Sequence, residues 1–119
     1  MHPHPAPHGA DANTDACRDA CRSCAQICTQ HLFHHCLTVG GEHARTDHVR
    51  LMADCIAICE TAAGFLTRGS PLHPAICRAC ATICRACADS CRELDDMSAC
   101  VDACEQCETT CRTMAQPVG

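Results

Sequence analysis

Sixteen cysteines in 119 residues are the main chemical feature of this sequence. A share this high is typical of either a disulfide scaffold or a metal-binding protein. Successive cysteines are three or four residues apart, which places them on one stripe of a helix. Four segments carry this spacing, with the cysteines Cys17, Cys21, Cys24 and Cys28; Cys55 and Cys59; Cys77, Cys80, Cys84, Cys87 and Cys91; and Cys100, Cys104, Cys107 and Cys111.

The spacing within each helix favours metal ligation over disulfide formation. Side chains three or four residues apart on a helix have Cβ atoms about 5–6 Å apart, whereas a disulfide needs a Cβ separation of about 3.5–4.5 Å. Two metal–sulfur bonds of about 2.3 Å span the helical gap without distorting the backbone. We therefore interpret the stripes as rows of metal ligands.

The type of metal follows from the ligands. Thiolates are soft donors that select Cu(I), zinc or iron–sulfur clusters. Zinc requires closed sites of four ligands, and the thiolates would divide into about four such sites. Cu(I) can use two or three sulfurs and share them, and one monovalent ion per thiolate neutralises a buried core. The sequence therefore predicts storage of multiple Cu(I) ions.

Four other functions compete with copper storage. A metallothionein-like buffer for zinc or cadmium is the second hypothesis. An iron–sulfur carrier is disfavoured because no cysteine quartet lies in a loop around one cluster. A thiol enzyme needs one activated cysteine and gains nothing from sixteen. An oxidised structural scaffold would require an exported protein.

Four helices must position these cysteines. We predict an all-α fold with helices over residues 14–38, 46–67, 74–93 and 97–114, in an antiparallel up-down-up-down four-helix bundle whose core is lined by cysteines. Gly40-Gly41 and Gly69 mark helix ends, and Pro74 suits a first turn. Thr46 with Asp47 suits the cap of the second helix, and Asp95 or Asp96 that of the fourth. No segment alternates with period two, as a strand would.

The bundle is expected to fill almost the whole chain. We expect a disordered His/Pro-rich tail at 1–13, a copper-binding domain at 14–114 and a C-terminal tail at 115–119. His2, His4 and His8 lie in the first tail and receive no site.

The two ends of the predicted bundle differ in chemistry. Antiparallel packing brings five non-cysteine ligands to one end, which we interpret as the copper entrance: His31, His35, His48, Met52 and Met97. The histidines could equally be surface residues, and the methionines plain core. Cys36 is about 80° from the stripe, so it is exposed, flanking or at the entrance. The opposite end carries an apolar plug of Phe65, Leu66, Leu72 and Ile76.

Charge and composition exclude some partners and suggest a compartment. Fourteen acidic residues against nine basic ones give a net charge of -5, and only two aromatic residues are present, so a nucleic-acid partner is not expected. No run of apolar residues is long enough to span a membrane. Residues 1–15 lack the apolar core of an export signal, which favours the cytoplasm.

The motifs resemble those of the bacterial copper storage proteins. The matching patterns are CxxxCxxCxxxC in the first helix, CxxxC in the second, CxxCxxxCxxCxxxC in the third and CxxxCxxCxxxC in the fourth. The resemblance implies a non-enzymatic four-helix bundle that assembles as a homotetramer and holds Cu(I) on the stripe cysteines. The sequence has no twin-arginine leader, and in this respect it resembles the cytosolic branch of that family.

Overall fold

A computed structural model describes residues 11–116 of the chain. Within this range the structure is helical, without strands. The long helices are α1 (Ala12–His31), α2 (Thr46–Thr67), α3 (His73–Arg92) and α4 (Ser98–Ala115). The predicted all-α class is confirmed, and the N-terminal tail with His2, His4 and His8 lies outside the described residues, as do residues 117–119.

The helices form a four-helix bundle. Each helix packs against two neighbours: α1 and α3 both contact α2 on one side and α4 on the other. The connections are short, which favours antiparallel neighbours. As a result, the end of α1 meets the start of α2, the end of α3 and the start of α4.

Local sequence signals explain most helix ends. The Asp11 side chain accepts a hydrogen bond from the backbone N–H of Asn13 at 2.8 Å and caps α1. Gly40, with a φ of 75°, ends the first helical segment, because this left-handed conformation is accessible to glycine. Pro74 lies in the first turn of α3, as predicted.

The predicted caps of α2 and α4 are wrong. Thr46 is the first residue of α2 and makes no cap hydrogen bond; Asp47 instead pairs with Arg45 at 3.1 Å. Met97 precedes α4, again without a side-chain cap, and Asp96 has a φ of 60°. The tight turn uses Asp96 for its left-handed backbone, which aspartate tolerates better than most residues.

Small side chains and sulfur fill the core. All sixteen cysteines have an exposed fraction of 0%, and the next largest group is alanine. A protonated thiol packs as a small hydrophobic group, so the metal-free core is apolar. The buried alanines are Ala20, Ala25, Ala62, Ala63, Ala81 and Ala88.

The end of α1 departs from regular α-helix and brings Cys36 into the core. The helix continues through a π-helical turn (Leu32–Cys36) and a last turn (Leu37–Val39). The N–H of Leu37 donates to the carbonyl of Leu32, five residues earlier. One residue is thereby absorbed, so Cys36 has the phase of a seventh residue after Cys28, about 20° from the stripe instead of about 80°. The expectation that Cys36 lies off the stripe is wrong for this reason.

Candidate metal centre

The cysteine sulfurs form a continuous row inside the bundle. Neighbouring Sγ atoms from different helices are 3.6–3.8 Å apart, as for Cys17 and Cys111, Cys24 and Cys104, and Cys59 and Cys80. Sulfurs one turn apart on the same helix are equally close, at 3.8 Å for Cys80 and Cys84. Contacts across helices and along them therefore join eleven of the sixteen thiols in one network, and Cys77 lies within 4.8 Å of two of these sulfurs, those of Cys17 and Cys111.

The network contains five overlapping groups whose sulfurs all lie within 4.8 Å of one another. Successive groups share cysteines, so that one group ends where the next begins. Along the bundle they are Cys24, Cys28, Cys55 and Cys104; Cys24, Cys55, Cys59 and Cys84; Cys59, Cys80, Cys84 and Cys107; Cys21, Cys80, Cys107 and Cys111; and Cys17, Cys77 and Cys111.

These distances fit metal ions better than disulfides. A disulfide has an S–S bond of about 2.05 Å, and all sixteen cysteines are free. Four sulfurs around one ion at about 2.3 Å would be about 3.8 Å apart, close to the separations of 3.6–3.9 Å between neighbouring thiols. The distances alone do not distinguish copper from zinc.

Burial and mutual hydrogen bonding set the protonation of the thiols. Burial raises the pKa of Cys36 to about 11. Hydrogen bonds from Cys100 and Cys87 lower the pKa of Cys91 to about 4, while the pKa of Cys100 is raised, first by its hydrogen bonds with Cys28 and Cys91. One thiolate thus accepts from thiols that keep their protons. The metal-free core is mostly neutral, and metal binding must displace protons.

Nitrogen and thioether groups surround Cys36 at one end of the bundle. The Sγ of Cys36 lies 3.6 Å from Nε2 of His48, 3.8 Å from Sδ of Met52 and 3.7 Å from Sδ of Met97. His48 is 3% exposed, and burial lowers its pKa. Its Nδ1 lies 2.8 Å from the Oγ of Ser90, which fixes the ring. The structure therefore brings together three of the five predicted non-cysteine ligands.

His31 and His35 lie outside this group. His31 is the last residue of α1 and His35 lies in the π-helical turn that follows; both are half-buried, and their ring centroids are 6.3 Å apart. His43, which the sequence interpretation did not single out, lies 5.0 Å from His35. His43 belongs to a short connection without helical periodicity. The spacing of residues in the sequence therefore could not predict which side chains it lies beside.

The opposite end is only partly closed by the predicted plug. Leu66 is 2% exposed, but Leu72 is 67% exposed and therefore does not close this end. Phe65 and Ile76 are half-buried, and the guanidinium of Arg68 lies 4.9 Å from the ring of Phe65. The buried Met114 on the last turn of α4 was not anticipated.

Fold and site together define a helical bundle whose interior is a row of free thiols, with histidine and methionine at one end. The sequence model of the copper storage protein family matches residues 10–116. The chain belongs to this family.

Solved structures support the same fold. A crystal structure of a protein from Nitrosospira multiformis is 48% identical, with a TM-score of 0.87 over 88% of this chain and 96% of that one. The Cu(I)-bound copper storage protein BsCsp3 is 34% identical, with a TM-score of 0.80 over 87% and 99%. The metal-free copper storage protein 3 from Bacillus subtilis is 36% identical, with a TM-score of 0.75 over the same shares.

No curated protein sequence matched the chain. Among the helices of residues 11–116, none is long and apolar enough to cross a bilayer.

Proposed function

We propose that this chain stores many Cu(I) ions in its core, at about one ion per thiolate when full. The family and the Cu(I)-bound relative support copper as the cargo. The proposed ligands are the sixteen cysteines Cys17, Cys21, Cys24, Cys28, Cys36, Cys55, Cys59, Cys77, Cys80, Cys84, Cys87, Cys91, Cys100, Cys104, Cys107 and Cys111, joined at one end by His48, Met52 and Met97.

The sharing of cysteines between neighbouring groups carries this proposal. Cys59 and Cys84 belong to two successive groups, as do Cys80 and Cys107. An ion that binds three thiolates and accepts bridging sulfurs can occupy neighbouring groups at the same time. Cu(I), a soft ion with a filled shell, has these properties.

Charge balance favours a monovalent cargo. A dry core tolerates thiolates only when each negative charge is compensated nearby. One Cu(I) for each thiolate leaves the interior neutral, whereas Zn²⁺ with four thiolates leaves a charge of about -2 at each site. With protons in place of copper the same core is also neutral, so the full and empty states can share one bundle.

The zinc or cadmium buffer is less well supported. Zinc sites that do not share ligands could occupy only three of the five groups at the same time, and one of these is a group of three. Such a buffer would use about three or four ions and leave the remaining cysteines without a role.

We propose that copper enters at the end that holds Cys36, His48, Met52 and Met97. Thioether and imidazole are weaker donors for Cu(I) than thiolate, so they can pass ions inward. A pocket of about 210 Å³ reaches His48 from the surface between the start of α2 and the end of α3. Its lining carries the carboxylates of Glu42, Asp47 and Glu93 and one cation, Arg45, which pairs with Glu42 and Asp47, so the net charge is negative and attracts cations.

We propose that the protein is located in the cytoplasm. We also propose that it assembles as a homotetramer and has no enzymatic activity. Sixteen free and unexposed thiols suit a reducing compartment. They also support storage over catalysis, because a catalytic thiol must reach its substrate. Tetramer formation and cytosolic location rest on the resemblance to the copper storage proteins, and neither a membrane nor a nucleic acid is a proposed partner.

Anaerobic titration of the reduced protein tests the proposal. With Cu(I), we expect saturation at about 15 or more ions per chain, and with Zn²⁺ at about four or fewer. Samples should be treated with a Cu(I) chelator during the titration, because specific sites must compete with it. Saturation near four ions with both metals would overturn copper storage and favour the buffer.

A further inference from the structure

Three imidazoles meet outside the thiol core, next to the end of α1. His31 directly precedes the π-helical turn (Leu32–Cys36), His35 lies within it, and His43 lies in the 3-10 turn (Gly41–Ala44) that leads to α2. The ring of His35 is central, with centroid distances of 5.0 Å to His43 and 6.3 Å to His31. All three side chains are half-buried. Their contacts differ from those of His48, which faces the sulfurs.

Backbone carbonyls fix which nitrogen is free on two of these rings. Nδ1 of His31 lies 3.0 Å from the carbonyl of Ile27, and Nε2 of His43 lies 2.8 Å from the carbonyl of Asp95. A carbonyl only accepts hydrogen bonds, so each of these nitrogens carries the proton. In the neutral ring the other nitrogen has the lone pair, which leaves Nε2 of His31 and Nδ1 of His43 as free donors to a metal.

The third ring has a nitrogen without a partner. Nε2 of His35 is buried and makes no hydrogen bond among residues 11–116. A buried polar atom without a partner is unfavourable, by about 1–3 kcal/mol in typical cases. A cation bound at this atom would remove that penalty.

We propose that His31, His35 and His43 form a separate site for a divalent transition-metal ion of borderline softness, represented by Zn²⁺. The ligand atoms are Nε2 of His31, Nε2 of His35 and Nδ1 of His43, with water as a fourth ligand. Imidazole suits zinc, and a ligating histidine typically donates its other N–H to a backbone carbonyl or carboxylate. His31 and His43 already have this arrangement.

The distances require a modest closure of the site. Two imidazoles bound to one tetrahedral ion through bonds of about 2.0 Å have centroids about 5 Å apart. The pair His35 and His43 meets this value, whereas His31 must move toward both other rings, by about 1 Å relative to His35. His31 is the last residue of α1 and precedes the π-helical turn, so a side-chain rotation there leaves the thiol core unchanged.

This site goes beyond copper storage because it would link the end of α1 to the connection before α2. His43 belongs to that connection, and it is already held to the turn between α3 and α4 through Asp95. A metal would join these segments around the turn that holds Cys36. The imidazole site and the thiol core therefore bind different cations at neighbouring places.

Nitrogen NMR of the histidine side chains, recorded on the full chain, tests the proposal directly. Reduced protein is first loaded with Cu(I) and its copper content is measured, so that thiols do not compete and a failure of copper storage is seen separately. Zn²⁺ is then added up to one equivalent. We expect metal-bound signals from Nε2 of His31, Nε2 of His35 and Nδ1 of His43.

Matched variants give the affinity test. His43→Gln can keep the hydrogen bond to Asp95 but loses the ligand, and His35→Gln is the second variant if the first unfolds. Each should weaken zinc binding by at least about tenfold. His34→Gln, at an exposed neighbour, should leave the affinity unchanged. Equal affinity in wild type and both ligand variants, or unchanged signals from the three rings, would overturn the site.

Discussion

The Sγ of Cys36 lies 3.6 Å from Nε2 of His48, and this contact joins a fully buried cysteine to the histidine and methionine end of the bundle. It exists because the π-helical turn (Leu32–Cys36) absorbs one residue. Single-turn π insertions in α-helices are frequent at functional sites. Here the insertion restores a ligand to the core.

Deletion of His34 should convert the π-helical turn to regular α-helix without exposing Cys36. In the shortened chain Cys36 follows Cys28 by seven residues and keeps its phase, about 20° from the stripe. We expect all sixteen thiols to stay protected from alkylation in the folded, metal-free protein, as measured by mass spectrometry.

Deletion of Gln26, an exposed residue in the regular part of α1, is the control. It rotates Cys28 by about 100° relative to Cys24 and should expose thiols. Fast alkylation of Cys36 in the His34 deletion, at the rate of the unfolded chain, would contradict the phase argument.

Cys107 should matter more for copper capacity than Cys77. The Sγ of Cys107 lies within 3.9 Å of the sulfurs of Cys21, Cys59, Cys80 and Cys111, and it belongs to two groups of four. Cys77 belongs to one group of three. We expect Cys107→Ala to lose about two copper ions and Cys77→Ala about one, because bridging sulfurs serve more than one ion.

Both cysteines are fully buried, so the two substitutions should lower the stability of the metal-free protein by similar amounts. Each substitution removes one sulfur and should cost about 1–2 kcal/mol of unfolding free energy in the metal-free protein. Copper counts at saturation and denaturant midpoints are measured on the same samples. Equal copper losses in the two variants would show that sulfurs are not shared as the groups indicate.

Sequence alone predicted most of the fold, because the three-and-four spacing of the cysteines is itself the helical signal. The same spacing predicted that the cysteines of the four helices face one another in the core. It missed the position of Cys36, since a π-helical turn depends on backbone hydrogen bonds that no spacing encodes. It also missed His43, because a residue in a short connection is placed by tertiary contacts, here with Asp95.

Met52 and Met97 should control the rate of copper uptake more than the capacity. Both touch the Sγ of Cys36, and replacement by leucine keeps the volume while removing the sulfur, at a cost below about 1.5 kcal/mol each. In stopped-flow loading from a Cu(I) complex, we expect Met52→Leu with Met97→Leu to slow uptake several-fold and to change the final content by at most about one ion.

The matched control is Leu66→Met at the opposite end. Leu66 is 2% exposed, so this change adds a thioether to the core away from the entrance. Its uptake rate should equal that of the wild type. If the double leucine variant loads at the wild-type rate, copper does not pass these methionines.

The metal-free protein should lose stability in alkaline solution because of Cys36. Burial raises the pKa of Cys36 from 9.0 to about 11. Between these values the unfolded chain gives up its proton first, so the folded state binds more protons and its stability falls as pH rises. The contribution of Cys36 is constant below pH 9 and decreases by up to about 2 kcal/mol as pH rises toward 11.

Denaturant unfolding under reducing conditions, from about pH 8 to about pH 10.5, measures this slope. Cys36→Ala should reduce the slope without removing it, because burial and the hydrogen bonds of neighbouring thiols also shift other pKa values. Removal of the Cys36 sulfur lowers the unfolding free energy by the same amount at every pH. Loss of its proton changes only the slope of the unfolding free energy against pH, so the slopes of wild type and Cys36→Ala isolate the proton effect. Parallel stability curves for wild type and Cys36→Ala would show that the Cys36 thiol has an ordinary pKa, which its complete burial against His48, Met52 and Met97 argues against.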